Sequence, residues 1–311
     1  MSEVSLSAGR TADLGLIGFA GLGNMGWPMA ANLVAAGCRV KVFDARLDQA
    51  RRFAAETGCT AASSAIGLAD SDILVTMLPN GAIVREFLTA PDAGGATLAG
   101  ALGPGAVVVD MSSSRPTGTR ELGAILAAHD VALVDAPVSG GTPRARNATL
   151  AVMTGGDAAV AARLEPMFRL MASSITHCGG LGSGHAMKAL NNYVSAAGLV
   201  AACEALRIAQ GFGIDGRKAI DVLNASTGRN NSTELKLAQQ VLNQAYSSGF
   251  SLGLMRKDID AAIELAGDVG VGLLIGREVL SAWENGERTL GPGADHTAIA
   301  RMISAPGGDR A

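Results

Sequence analysis

Lys188 and Asn192 stand four residues apart in the stretch Gly182-Ser183-Gly184-His185-Ala186-Met187-Lys188-Ala189-Leu190-Asn191-Asn192. The two glycines end one segment, and a long helical pattern begins there with Lys188 in its second turn. Residues four apart share a helix face, so the amine and the amide point the same way. An amine can carry a proton and an amide can orient an oxygen. A lone helix lysine is ordinarily a solvated cation, so the pair acquires meaning only from the residues before it.

Those residues begin with a glycine turn. Residues 15–20 read as a short buried strand, followed at once by Gly21-Leu22-Gly23-Asn24-Met25-Gly26 and a helical run over 27–36 that Gly37 closes. A second strand, 38–43, ends in Asp44. Strand, glycine turn, helix, strand and acid is the context a dinucleotide-binding turn requires. Gly21 permits the tight turn, Gly23 lets a pyrophosphate approach the backbone, and Gly26 lets helix and strand touch. The helix N-terminus then faces the phosphates. Asp44 stands where a carboxylate would bond the ribose hydroxyls and repel a 2′-phosphate, which favours NAD over NADP. Arg46 can accommodate that phosphate instead.

The elements that must position these groups alternate. Strands are expected at 72–78, 106–110, 131–135, 149–154 and 173–178, and helices at 47–57, 63–69, 82–88, 117–129 and 157–170. Residues 91–105 read as a Gly-rich loop. Alternation of this kind implies a mostly parallel sheet covered on both faces, with ligands outside the carboxyl ends of its strands. Leu78-Pro79, Ser112-Ser113 and the loop 136–141 lie at such ends. In that loop Ser139-Gly140-Gly141 offers a hydroxyl and bare N–H groups, which suit either a carboxylate grip or an ordinary tight turn. From Ser183 only helices are expected, over 184–212, 216–226, 231–244, 256–270, 273–286 and 294–301. Lys257, read as standing near a helix start, opposes the helix dipole there. The fold class is therefore α/β, an N-terminal Rossmann doubly wound, mostly parallel sheet followed by an all-α C-terminal domain. The expected divisions are a flexible tail at 1–13, a cofactor-binding domain at 14–180, a helical domain at 181–302 and a flexible tail at 303–311.

Composition narrows the function. The 311 residues are 48% hydrophobic and 17% charged, enough for a sizeable core, and a net charge of −3 offers nothing to nucleic acid or an anionic membrane. Cys38, Cys59, Cys178 and Cys203 are far apart without metal-ligand spacing, as reduced, buried thiols of a cytoplasmic protein would be. The four histidines are scattered, so no metal is expected. His185 precedes Lys188 by three residues and reads as a packing or polar wall residue. No signal peptide is expected in the first 13 residues, and no run is long enough to span a bilayer.

Taken together these motifs resemble the β-hydroxyacid dehydrogenase family, the group of 3-hydroxyisobutyrate dehydrogenases and tartronate semialdehyde reductases. The likeness rests on the turn at 21–26 with Pro28-Met29-Ala30-Ala31-Asn32-Leu33, on Asp110-Met111-Ser112-Ser113, on Asp135 through Gly141, on Lys188 with Asn191-Asn192, and on Lys257-Asp258. It implies hydride transfer between a small 3-hydroxy acid and NAD, NADP being possible, with Lys188 as general acid and base. Ser139, Gly140 and Gly141 would grip the substrate carboxylate and Asn192 would hold it near the lysine. Gly21 to Gly26, Asp44, Arg46, Leu78, Pro79, Ser113 and Lys257 would contact the cofactor. The helical domain would form a homodimer or homotetramer. Reduction of a semialdehyde acid of the tartronate, succinic or sulfolactaldehyde type is the alternative. An imine reductase or a non-catalytic NAD-binding protein accounts less well for Lys188. The chain departs from the family where glycines are usual, at Arg144 and Ala148, and either Arg144 or Arg146 is placed to read a second anionic group.

Overall fold

Unbroken apolar runs make the central strands. The computed structural model describes residues 14–303, so the tails expected at either end lie outside the described residues, apart from Ile303. β1 (Leu16–Ala20), β2 (Arg39–Phe43), β3 (Thr60–Ala61), β4 (Ile73–Thr76), β5 (Val107–Asp110) and β6 (Ala132–Asp135) are mutually parallel, in the order 3-2-1-4-5-6. β4 and β5 are wholly buried, as strands covered on both faces must be. Alternate side chains serve opposite faces: Ile73, Val75, Val107 and Val109 enter one core, Leu74 and Val108 the other. β7 (Val138–Ser139), β8 (Leu150–Gly155) and β9 (Ala172–Gly179) extend the sheet, β8 running antiparallel to β6 and parallel to β9. Helices α1 (Gly26–Ala35), α2 (Leu47–Thr57), α3 (Gly81–Thr89), α4 (Leu98–Ala101), α5 (Pro116–Ala127), α6 (Gly141–Arg146) and α7 (Ala158–Arg169) connect these strands.

The chain divides into two compact units at Lys188 and Ala189, within the 29-residue helix α8 (Ser183–Gly211). The second unit holds α9 (Gly216–Ala225), α10 (Asn231–Leu235), α11 (Leu252–Asp268) and α12 (Gly276–Leu290) around its own core, which includes Leu199, Leu206, Ile220, Ile259 and Trp283. No helix among the described residues is long and apolar enough to cross a membrane.

A mostly parallel sheet followed by a helical unit is the expected fold class; the differences are local. The loop expected at 91–105 contains α4, capped by Thr97. The loop expected at 136–141 is the edge strand β7 running into α6. The helix expected at 231–244 stops at Leu235 and continues beyond Lys236, at φ −108° and ψ −43°, as a π-helical stretch, Leu237–Leu242. The segments expected as helices at 63–69 and 294–301 are 3₁₀ turns, Ala65–Leu68 and His296–Met302. α11 begins four residues before the expected start, at the Ser251 cap. Lys257 is therefore in its second turn, where opposition to the helix dipole has largely faded.

Candidate active-site residues

The glycine turn is held from two sides. The Gly21 N–H donates to the Phe43 carbonyl at 2.8 Å, and the Leu22 N–H donates to Asp44 Oδ2 at 2.8 Å. Gln49 Nε2 donates to the Leu22 carbonyl at 2.9 Å. Gly21 adopts φ 97°, and a Cβ there would lie 2.3 Å from the Met77 carbonyl. A Cβ on Gly26 would lie 1.9 Å from the Gly21 carbonyl, so the start of α1 and the turn touch backbone to backbone. A Cβ on Gly23 would meet nothing within 4 Å, which leaves the space over the turn open. A phosphate fits that opening, before a helix whose first turn carries no acid.

Asp44 is nearly buried and fixed, since its Oδ1 also accepts the Arg46 N–H at 2.9 Å. Arg46 itself is mostly exposed, with Nε 3.6 Å from Asp44 Oδ1. Phe43, the residue before Asp44, stacks on Phe87 and lines a cavity of ≈ 340 Å³ with Ile66, Ile83 and Leu98.

The ends of β4 and β5 are tied together by side chains. Asp110 accepts from Thr76 Oγ1 at 3.0 Å, from the Ser112 N–H at 3.0 Å and from Ser114 Oγ at 2.7 Å. Ser112 Oγ accepts the Leu78 N–H at 2.9 Å, which sets the Leu78-Pro79 turn against β5. Ser112 and Ser114 are thus consumed and buried, while Ser113 between them is only half-buried.

Ser139 ends β7, and Gly140 (φ 131°) and Gly141 (φ 68°) turn the chain into α6. Arg144 crosses back over this turn. Its Cδ and Cβ lie 2.5 and 2.8 Å from where a Gly140 Cβ would stand. Ala148 occupies the left-handed region at φ 54°.

The start of α8 is docked on the sheet by one carboxylate. Asp135, fully buried at the end of β6, accepts the Gly182 N–H on Oδ1 and the His185 N–H on Oδ2, both at 2.8 Å. A carboxylate is favoured there by the helix dipole as well as by the bonds. Glycines make the approach possible. A Cβ on Gly184 would lie 2.3 Å from the Met153 carbonyl, and one on Gly155 would lie 2.5 Å from Asp135 Oδ1. His185 is fully buried between the two acids, with Nε2 3.7 Å from Asp110 Oδ2 and Nδ1 3.7 Å from Asp135 Oδ2. Its Nε2 lies 3.1 Å from the Ser112 carbonyl, an acceptor only, so that nitrogen bears a proton; Nδ1 meets Thr119 Oγ1 at 2.8 Å. His185 is the polar wall residue the sequence suggested, yet its partners come from residues 112 and 119. One turn further on, Lys188 is 8% exposed. Lysines are almost never withdrawn from water to that degree without a reason.

In the second unit Asn192 is buried and donates from Nδ2 to Asp258 Oδ2 at 2.6 Å, while its own Oδ1 accepts from Asn191 at 3.1 Å. Lys257 Nζ lies 3.7 Å from Asp258 Oδ1. Asp258 therefore organises the amide and stands beside the second lysine; sequence spacing had included it without a role. Elsewhere in this unit Lys236 Nζ donates to Ser195 Oγ at 3.0 Å, and burial lowers its amine to about 8. Burial and the Lys236 charge hold His296 at about 4. Among the described residues no cluster of His, Cys, Asp or Glu is disposed to hold a metal. All four cysteines are free; Cys38 and Cys203 are buried, whereas Cys59 and Cys178, expected to be buried too, are partly exposed. Cys59 follows the turn at Gly58, and Cys178 lies on the edge strand β9, which leaves that side chain uncovered.

Comparison with known proteins gives concordant matches. A family model described as the NAD binding domain of 6-phosphogluconate dehydrogenase matches residues 16–180. Another, described as NAD-binding of NADP-dependent 3-hydroxyisobutyrate dehydrogenase, matches residues 182–303. A protein of Mycobacterium tuberculosis named "Probable 3-hydroxyisobutyrate dehydrogenase" is 36% identical over 260 residues, 82% of this chain and 86% of its own length. The 2-(hydroxymethyl)glutarate dehydrogenase of Eubacterium barkeri is 32% identical over 92% of this chain and 94% of its own. Among solved structures, Mycobacterium tuberculosis 3-hydroxyisobutyrate dehydrogenase with L-serine superposes with TM-score 0.85 at 33% identity, covering 94% of this chain and 100% of that one.

Proposed function

Because the chain belongs to the β-hydroxyacid dehydrogenase family of NAD(P)-dependent oxidoreductases, we propose that it oxidises a small 3-hydroxy acid of the 3-hydroxyisobutyrate type, reversibly, with Lys188 as the proton carrier. The observation that carries this reading is the burial of Lys188, one turn beyond a helix start that Asp135 pins to the sheet. When bound, the nicotinamide takes or supplies the hydride. Lys188 removes the hydroxyl proton during oxidation and returns it during reduction. Ser139, Gly140 and Gly141 hold the carboxylate through a hydroxyl and backbone N–H groups. Asn192, anchored by Asp258, has one amide hydrogen left to orient a substrate oxygen.

The open space over Gly23 and the fixed Asp44 suit the pyrophosphate and the adenosine ribose of the cofactor. The cavity beside Phe43 and Phe87 suits its adenine. Leu78, Pro79, Ser113 and Lys257 complete the cofactor contacts. Two backbone N–H groups hold the Asp44 carboxylate, so it cannot swing aside for a 2′-phosphate, and NAD is the preferred form. The distribution of exposed apolar side chains supports homo-oligomers built through the helical unit. Among the described residues every large one except Ile83 and Met187 comes after Lys188, Phe212, Val222, Val269 and Leu274 among them. The free cysteines support a reducing, cytoplasmic setting.

The test is a panel of small hydroxy acids with NAD and NADP, followed by nicotinamide absorbance, on the natural protein and on Lys188→Ala. Loss of general acid–base help should lower kcat by about 10²–10⁴-fold while NAD still binds. A variant that keeps a near-normal kcat would remove Lys188 from the mechanism.

A further inference from the structure

The two arginines that follow the Ser139-Gly140-Gly141 turn are not equivalent in the folded chain. They stand two apart on α6, so they leave the helix on nearly opposite sides. Arg144 is the one turned towards the turn. Its Cβ, Cγ and Cδ lie 2.8, 3.0 and 2.5 Å from where a Gly140 Cβ would stand. The aliphatic stem therefore rests on the bare Gly140 α-carbon, and the guanidinium begins one bond beyond Cδ. A side chain at Gly140 would displace it, and Gly140 holds φ 131°, which only glycine adopts without strain. Arg144 is exposed, and among the described residues no carboxylate pairs with it. A cation whose stem is seated while its head stays unpaired is preorganised for an anion.

We infer that Arg144 binds a second anionic group on the substrate, so that the preferred substrate is a dianion, a hydroxy acid bearing a further carboxylate or sulfonate. This rests on the reading of Ser139-Gly140-Gly141 as the grip for the first carboxylate. An arginine and a carboxylate pair through two parallel N–H···O bonds, which a monoanionic acid cannot supply at this position.

The test compares the NAD-loaded natural protein, Arg144→Ala and Arg146→Ala by calorimetric binding of glutarate and of butyrate, which are unreactive dianionic and monoanionic probes. It is paired with kcat/KM for dianionic and monoanionic 3-hydroxy acids. The natural protein should favour glutarate, and Arg144→Ala should reduce the glutarate-to-butyrate ratio by about tenfold to a hundredfold, the usual worth of a hydrogen bond to a charged group. Arg146→Ala should leave the ratio where it was. Equal affinity of the natural protein for both probes, or an unchanged ratio in Arg144→Ala, overturns the inference. Absence of turnover on every hydroxy acid defeats the proposed activity instead, and the binding ratio still decides the role of Arg144.

Discussion

Replacing Asp135 by Asn probes the anchor of α8 with almost no change of shape. The carboxylate serves two buried donors, one per oxygen, at 2.8 Å each. An asparagine has one oxygen, so whichever way its amide turns, an NH₂ faces either the Gly182 or the His185 N–H. One hydrogen bond to a charged acceptor is lost, about 1.5–3 kcal/mol, and a buried N–H is stranded, about 1–3 kcal/mol. The helix-dipole contribution of the charge goes as well, about 0.5 kcal/mol or more. Relief from burying a charge offsets part of this, which leaves a destabilisation of about 2–4 kcal/mol. Relaxation is blocked, because a Cβ on Gly155 or Gly184 would already stand 2.5 or 2.9 Å from the Asp135 oxygens. Amide exchange at Gly182 and His185 should accelerate by about a hundredfold, and urea unfolding should move to lower concentration. Lys188 lies one turn beyond His185, so kcat should fall by about tenfold or more as its position spreads. Unchanged exchange at those two amides, together with a stability loss below about 0.5 kcal/mol, would refute the anchoring argument.

Four further outcomes follow from the same geometry. Asp258→Ala strands the Asn192 amide and should raise KM more than it lowers kcat, by about tenfold; kinetics with a saturating cofactor would show it. Ala148→Gly relieves a left-handed residue at φ 54° and should stabilise the protein by about 0.5–1 kcal/mol, the strain removed exceeding the added chain entropy of glycine. Burial and the neighbouring Lys236 hold His296 at about 4 rather than 6.5, so the unfolded chain binds the proton first. That stability is complete above pH 6.5 and is lost as pH falls towards 4, by at most about 3 kcal/mol, and acid unfolding of His296→Gln should show a shallower decline. Lys236, lowered to about 8 by burial, opposes folding below pH 8 and ceases to do so towards 10.5. The stability gap between the natural protein and Lys236→Met should therefore narrow across that interval.

The sequence by itself determined what depends on neighbours a few residues apart. The glycine turn at 21–26 and the helix end at Gly37 are local choices of backbone, and each has the expected form. Strand and helix periods likewise disclosed a parallel sheet followed by helices. Tertiary structure alone decided which polar residues are buried and what they hold. Asp110 reaches back to Thr76, Asp135 reaches forward to Gly182 and His185, and Asp258 reaches Asn192 across 66 positions. No local pattern marks an aspartate as buried, because its burial depends on the backbones that close around it. Gly155 and Gly184 show the same limit, as their missing side chains count only where β6, β8 and α8 meet. The choice between Arg144 and Arg146 was also left to the fold. Two cations two residues apart look alike in a sequence, and the helix between them sends only one across Gly140.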